Sequence, residues 1–320
     1  MLAGAGTMMA RSAAAQRGAG PVSFPTVANP IDGEVEVIAS GYIWTEGPVW
    51  VGDEQGHLLF SDVPGNTIYS WNGKVTTAFL APSGLRDFPI PASIREAGSN
   101  GLALGRGGLL LADSGTRAIA RVDMATREKT ILADSYDGKR LNSPNDLVLA
   151  RNGDIYFTDP PYGLAGVQKS PLRELPYTGV FRMTSDNRVH LIADNLFPNG
   201  VALSPDNRTL YATDNAGWIA IDLDGSGSPT GQRTHVASES VGGARGDGMK
   251  VDAAGNIWTS GRGGIYVFSP KGEHIGFAPI SGRVSNCAFG PGRYLYVTND
   301  TQVVRIRIRA DFPGGTPIQY

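Results

Sequence analysis

The sequence predicts an all-β fold: a six-bladed β-propeller of four-stranded antiparallel blades around a central metal site, spanning residues 26–320. Three observations carry this expectation. A carboxylate or carboxamide residue opens an apolar run six times, at Glu46, Asn100, Asn145, Asn199, Asp247 and Asn286. The spacings of 54, 45, 54, 48 and 39 residues fit radial repeats of roughly 40 to 50 residues. Glycine, at 43 residues, and proline, at 21, exceed ordinary usage, as a chain of many tight turns requires.

Taken in order, the second strand of each repeat is apolar and ends at a small or polar residue. These strands are L-L-F-S-D at Asp62, L-L-L-A-D at Asp113, I-Y-F-T-D at Asp159, L-Y-A-T-D at Asp214, I-W-T-S at Ser260 and L-Y-V-T-N at Asn299. Asn152-Gly153, Asp206-Asn207 and Gly255-Asn256 supply turns between first and second strands. Third strands are read at Ala118 to Asp123 and Gly179 to Met183, and a fourth at His190 to Asp194. Four strands repeated six times make a six-bladed propeller. Two stretches break the period. Pro82 to Gly98 contains Pro89 and Pro91, which a central strand does not tolerate. Asp159 to Tyr177, with Tyr162, is similarly irregular. Inserted loops of this kind are expected to rim a pocket, with a purely structural role as the alternative.

Composition narrows the partners. Hydrophobic residues at 41% and charged residues at 18%, with no apolar run near the roughly 18 residues that span a bilayer, give no expectation of a membrane role. The net charge is -2 and the one short basic cluster is R-I-R-I-R at Arg305 to Arg309, so nucleic acid is not an expected partner. Cys287 is the single cysteine; it cannot form an internal disulfide and reads as a small buried strand residue. Residues 1–25 are small and aperiodic and are expected to be unstructured. Their A-A-A-Q resembles the cleavage region of an export signal, without the charged segment and apolar core that normally precede one. Periplasmic and cytoplasmic locations therefore both stay open, for a monomer or weak homo-oligomer.

Residues that recur in every blade suit architecture, so Asp62, Asp113, Asp159 and Asp214 are read as turn and hairpin partners. The opening register is different, because its chemistry changes from blade to blade. Turn formation would account for its asparagines, whereas Glu46 is a poor turn former. If equivalent positions start the innermost strands, Glu46 and Asp247 bring two charges to the axis and Asn145 and Asn199 bring neutral carbonyl oxygens. An all-oxygen set without Cys or His favours Ca²⁺ or Mg²⁺ over zinc or copper, and ligands converging from several strands suit the larger, more flexible Ca²⁺. Four ligands leave positions open on the ion, which is what catalysis needs. A G-x-S-x-G elbow is absent and the four histidines, His57, His190, His235 and His274, are scattered, against a serine hydrolase. No phosphate-binding glycine loop implies a nucleotide cofactor.

Eight segments in order, over roughly residues 35 to 310, resemble a known family. They are W-T-E-G-P-V-W from Trp44, G-S-N-G-L-A-L from Gly98, A-D-S-G-T-R-A-I from Ala112, L-N-S-P-N-D-L-V-L from Leu141, Y-F-T-D-P-P-Y-G-L from Tyr156, P-N-G-V-A-L-S-P-D from Pro198, P-K-G-E from Pro270 and S-N-C-A-F-G from Ser285. The family is that of gluconolactonases, senescence marker protein and luciferin-regenerating enzyme, calcium-dependent six-bladed propellers; S-P-N-D with T-D-P-P-Y-G-L is similar to its bacterial gluconolactonase branch. The resemblance implies Glu46, Asn145, Asn199 and Asp247 as metal ligands, for Ca²⁺ with Mg²⁺, Mn²⁺ or Zn²⁺ as substitutes, and hydrolysis of a 1,5- or 1,4-sugar lactone to its aldonic acid. Asp247 would then be general base or, alternatively, nucleophile. Asn100, Asn145, Tyr162 and Asn286 would contact substrate. The mammalian branch has a substrate-contacting arginine two positions before its N-D asparagine; this chain has Ser143 there, with Arg140 nearby. Rival expectations are a propeller acting on organophosphates or non-sugar lactones, and a non-catalytic ligand-binding propeller.

Overall fold

A computed structural model of the chain describes residue 24 and residues 26–318. The expected unstructured segment 1–25 lies, Phe24 apart, outside the described residues. Phe24 itself packs edge-on against Tyr266, His274 and Phe277.

The described chain lays down strand β1 (Ile31–Ser40) and then four meanders. The first is β2 (Thr45–Val51), β3 (His57–Asp62), β4 (Thr67–Trp71) and β5 (Thr76–Leu80); the second is β6 (Leu102–Gly105), β7 (Gly108–Asp113), β8 (Ala118–Val122) and β9 (Lys129–Ala133). A small hairpin, β10 (Ser135–Tyr136) and β11 (Lys139–Arg140), precedes the third meander of β12 (Leu147–Leu149), β13 (Ile155–Thr158), β14 (Val180–Met183) and β15 (Val189–Ala193). The fourth is β16 (Val201–Leu203), β17 (Thr209–Asp214), β18 (Gly217–Leu223) and β19 (Pro229–Ala237). The chain ends in β20 (Met249–Val251), β21 (Ile257–Phe268), β22 (His274–Phe289), β23 (Tyr294–Asn299) and β24 (Gln302–Ile308). Second strands such as β7, Gly-Leu-Leu-Leu-Ala-Asp, are buried along their whole length, because each sheet is covered by a neighbour on both faces. Leu110, Ala112 and Ile119 of the second sheet, for example, pack on Leu147, Ile155, Phe157 and Phe181 of the third. Cys287 is buried in the same way, and burial pushes its thiol up to about 12.

Two expectations are corrected here. The propeller has five blade sheets, not six: four sheets of four strands and one of six, in the order β1-β24-β23-β22-β21-β20. The fifth and sixth repeats share that last sheet because β21 and β22 run on for 12 and 16 residues. Their glycine-rich stretches form an irregularity in the β21–β22 ladder, between the Arg262–Arg283 and Gly264–Pro279 pairs, instead of ending the strands. Gly263, Gly264 and Gly282 adopt φ of 83°, 156° and 105° there, values that a side-chain-bearing residue rarely takes. The second correction concerns the central metal site. Among the described residues, no three His, Cys, Asp or Glu side chains group together around a metal position, so the expected central metal site is not a feature of this structure. The third buried acid of the hub, Asp146, accepts hydrogen bonds from the Leu147 and Val201 amides instead.

The ring closes by pairing β1 with β24, from Ile31 opposite Ile308 to Ser40 opposite Gln302. Around the axis, hydroxyls near the ends of second strands bond to carbonyls of the next repeat: Ser61 to Asn100, Thr158 to Asn199, Thr213 to Asp247 and Ser260 to Ser285, at 2.6 to 3.1 Å. Ser285 completes the circuit by donating to the Thr45 carbonyl at 2.7 Å. The tail of the chain is held by Asp252, fully buried, which accepts from Trp258 Nε1, Asn256 Nδ2 and the amides of Gly315, Asn256 and Ala254. Asp252→Ala strands five donors and is expected to lower the unfolding free energy by about 3 kcal/mol or more. Urea unfolding measures this, and a loss below about 0.5 kcal/mol would contradict it.

Candidate functional site

Glu46, Asn145 and Asn199 stand at or just before the start of an inner strand, where the second strand of the same repeat holds the segment leading in, whereas Asn286 lies inside the long β22. Asp62 accepts from the Ile43 and Trp44 amides just before Glu46. Asp159 accepts from Asn142 and Ser143 just before Asn145, and Asp214 from Phe197 just before Asn199. Asp113 instead takes the Thr116 amide and the Lys129 ammonium, at 3.0 and 2.7 Å. Gly47 lets the ring close tightly. At its φ of 54°, an added Cβ would fall 2.2 Å from the Asn100 carbonyl oxygen.

Glu46, 3% exposed, accepts through Oε2 from the Gly47 amide at 2.8 Å and from Asn286 Nδ2 at 3.2 Å. Burial, and then repulsion from Asp146, pushes its carboxyl up to about 8. Asp247 is raised well above the carboxylate range by burial first and the Glu46 charge second. Its Oδ1 is buried without a hydrogen-bond partner among the described residues, and so is Asn100 Oδ1. Asp247 and Asn199 line one cavity of about 550 Å³, with Trp44 and Arg283. Tyr162 meets Phe197 edge-on at 5.3 Å, and burial, then the nearby Asp247 charge, makes its hydroxyl harder to ionise.

The predicted residues are therefore brought together unequally. Glu46 meets Asn286 directly, the Glu46 charge raises Asp247, and the charge acting on Glu46 itself is that of Asp146. Asn145 is buried at the hub with its amide bonded to the Thr158 carbonyl and its own carbonyl to the Gly101 amide. Asn286 has its Oδ1 occupied by Lys250 Nζ at 3.2 Å and the Cys287 amide at 2.9 Å. Sequence reasoning missed Asp146 and Lys250. Asp146 is fully buried and raised by burial, with Lys250 as the main opposing charge. Asp146 directly follows Asn145 in N-D and Lys250 stands three positions after Asp247 in D-G-M-K, and that closeness was the available signal.

The two inserted loops zip together over the site, through Arg95 and Glu96 amides to the Gly163 carbonyl and the Ala165 amide to the Ser93 carbonyl. Ser143, at the position of the family's arginine, braces this rim by donating to the Pro160 carbonyl and accepting from the Gly163 amide. Glu96 Oε2 is buried there without a hydrogen-bond partner among the described residues. The donors of the hub are hard oxygens, two of them acids kept from ionising and two of their oxygens unsatisfied. Such a set fits a hard divalent cation, since the cation's charge would release both carboxylates from their protons.

The chain matches the SMP-30/gluconolactonase/LRE-like region family model over residues 44–301. It is 45% identical to a gluconolactonase of Zymomonas mobilis over 295 residues, 86% of this chain and 81% of the relative. It is 27% identical to a pentonolactonase of Haloferax volcanii over 79% of this chain and 80% of the relative. Among solved structures, a gluconolactonase from Xanthomonas campestris is similar with a TM-score of 0.76 at 30% identity, covering 90% of this chain and 94% of that one.

The acid pair makes stability depend on pH in a definite direction. Glu46 titrates near 4.5 when unfolded and about 8 when folded, so the folded chain binds more protons between those values. Its contribution is complete below pH 4.5 and is lost as pH rises through about 8. With divalent cations chelated, Tm is expected to fall across this window, and Glu46→Gln to flatten the fall. A cation-free wild type whose Tm is level over the same window would contradict the burial argument.

Proposed function

The chain belongs to the SMP-30/gluconolactonase/LRE-like family, and on that premise we propose that it hydrolyses the ring ester of a gluconolactone-like sugar lactone to the aldonic acid. The observation that carries the reading is Asp247, a carboxylate lining the cavity, kept basic by burial and by the Glu46 charge, and left with an unpartnered oxygen.

Asp247 acts as general base. Water adds to the ester carbonyl while a carboxylate oxygen of Asp247 takes its proton, a role that needs Asp247 ionised, as the charge of a bound divalent cation would leave it. As the tetrahedral adduct collapses, the bond between carbonyl carbon and ring oxygen breaks. The proton then passes from Asp247 to the departing ring oxygen, leaving a hydroxy acid. Tyr162, with its hydroxyl kept protonated, donates a hydrogen bond to substrate oxygen and walls the pocket. Asn100 accepts from a substrate hydroxyl through its free Oδ1. Asn286 is a positioning residue that holds Glu46 through Nδ2 and is itself fixed by Lys250. A divalent cation held by Glu46, Asn145, Asn199 and Asp247, for which this all-oxygen set suits Ca²⁺, supplies Lewis-acid polarisation of the ester carbonyl when bound.

The test is D-glucono-1,5-lactone hydrolysis above the spontaneous rate, with and without a chelator. Wild type is expected to turn over and to lose turnover when chelated, with Ca²⁺ restoring it. Asp247→Asn is expected to cut kcat by about 100-fold or more with little change in Tm. Absence of hydrolysis on any sugar lactone would reject the function, and full turnover in Asp247→Asn would reject the base.

A further inference from the structure

The mouth of the cavity carries more positive charge than a neutral sugar lactone can use. Three arginines, Arg245, Arg262 and Arg283, line it beside a single carboxylate residue, Asp247. All three are exposed, and each follows a small residue in a glycine-containing stretch: G-A-R-G-D, S-G-R-G-G and S-G-R-V. Arg262 and Arg283 are register partners on β21 and β22. Residues directly opposite on antiparallel strands hold their side chains on one face about 5 Å apart, and like charges so placed repel. Elsewhere the chain matches its arginines to acids, as in Arg305 with Glu36, Arg309 with Asp311 and Arg182 with Asp154. At the mouth the partners are weaker. Arg245 reaches only Asn215 Oδ1, at 3.5 Å, and Arg283 lies over the Trp44 ring at 4.5 Å. None of the three has an ion-pair partner among the described residues.

We propose that these arginines select the substrate, and that the preferred lactone carries an anionic substituent, a carboxylate or a phosphate, away from its ring ester. The proposal rests on the lactonase reading of the same cavity and adds the charge of the molecule it takes. An anion bridging Arg245 and Arg262 relieves the repulsion between Arg262 and Arg283 and fills guanidinium donors whose fork geometry matches both groups. A neutral lactone offers hydroxyls alone, which relieve nothing.

The experiment measures kcat/KM for neutral D-glucono-1,5- and 1,4-lactones, for D-glucaro-1,4-lactone as the carboxylate and for 6-phospho-D-glucono-1,5-lactone as the phosphate. Wild type is expected to favour at least one anionic lactone over its neutral counterpart by about tenfold or more, with the preference shrinking as salt is added. The anion that shows it identifies the group. Arg245→Gln and Arg262→Gln are expected to lower the anionic-to-neutral ratio by about tenfold when combined, mainly through KM, and Arg262→Lys to retain part of it. Equal or better use of neutral lactones by wild type, or a ratio unchanged in the double variant, would overturn the proposal. Failure on all four lactones would instead overturn the lactonase reading on which it stands.

Discussion

Ring closure is the constraint from which the site follows. β1 must leave the start of the chain and pair with β24 at its end, and only then does the head of β2 come against the inner part of β22. The contact that results, Asn286 Nδ2 to Glu46 Oε2 at 3.2 Å, joins residues 240 positions apart. The same closure sets the Ser285 hydroxyl on the Thr45 carbonyl. No local propensity builds such contacts. They exist because radial packing leaves the last sheet no other neighbour than the first.

The closed ring also explains why the hub is electrostatically unusual. Inner strands converge where there is little room for water, so side chains pointing inward lose solvent whatever their chemistry. For Leu or Val this is favourable; for Glu46, Asp146 and Asp247 it is costly, and their raised proton affinities express that cost. Lys250 offsets part of it for Asp146 and holds Asn286. Asp247 has only the opposing charge of Arg283 to help it, against Glu46, Asp146 and Glu96. A group left so poorly compensated in a cavity wall is the pattern expected where chemistry, and not stability, sets the residue. The hydroxyl bonds around the axis and the Asp252 cluster supply the rigidity that lets the hub tolerate it.

Much of this was legible in the sequence, for physical reasons that are specific. Second strands end in the structure where their polar stops stand, as β3 does at Asp62, β7 at Asp113, β17 at Asp214 and β23 at Asn299, because an apolar run buried on both faces has to stop where a side chain needs solvent or a backbone partner. Five of the six opening residues lie at or just before the start of an inner strand, Asn286 being the exception inside β22. Separate blades were not legible at the fifth and sixth repeats, since S-G-R-G-G reads as a turn while its glycines allow β21 to bend and continue. The Ser and Thr preceding the strand-end acids escaped notice, because a hydroxyl that bonds to the next repeat looks in sequence like any strand residue. Asp146 was hidden beside Asn145, and the arginines of the mouth were hidden because strand register, not spacing, sets Arg262 opposite Arg283.

The central claim is that Glu46 and Asp247 act on each other as buried like charges at the axis. A double-mutant cycle of Glu46→Gln and Asp247→Asn, followed by urea unfolding of cation-free protein at about pH 9, where both acids are forced toward ionisation, measures this directly. Neutralising either acid is expected to relieve the other, so the double variant should gain less stability than the two single changes combined. Effects that simply add would show that the two carboxylates do not interact, and would contradict the claim.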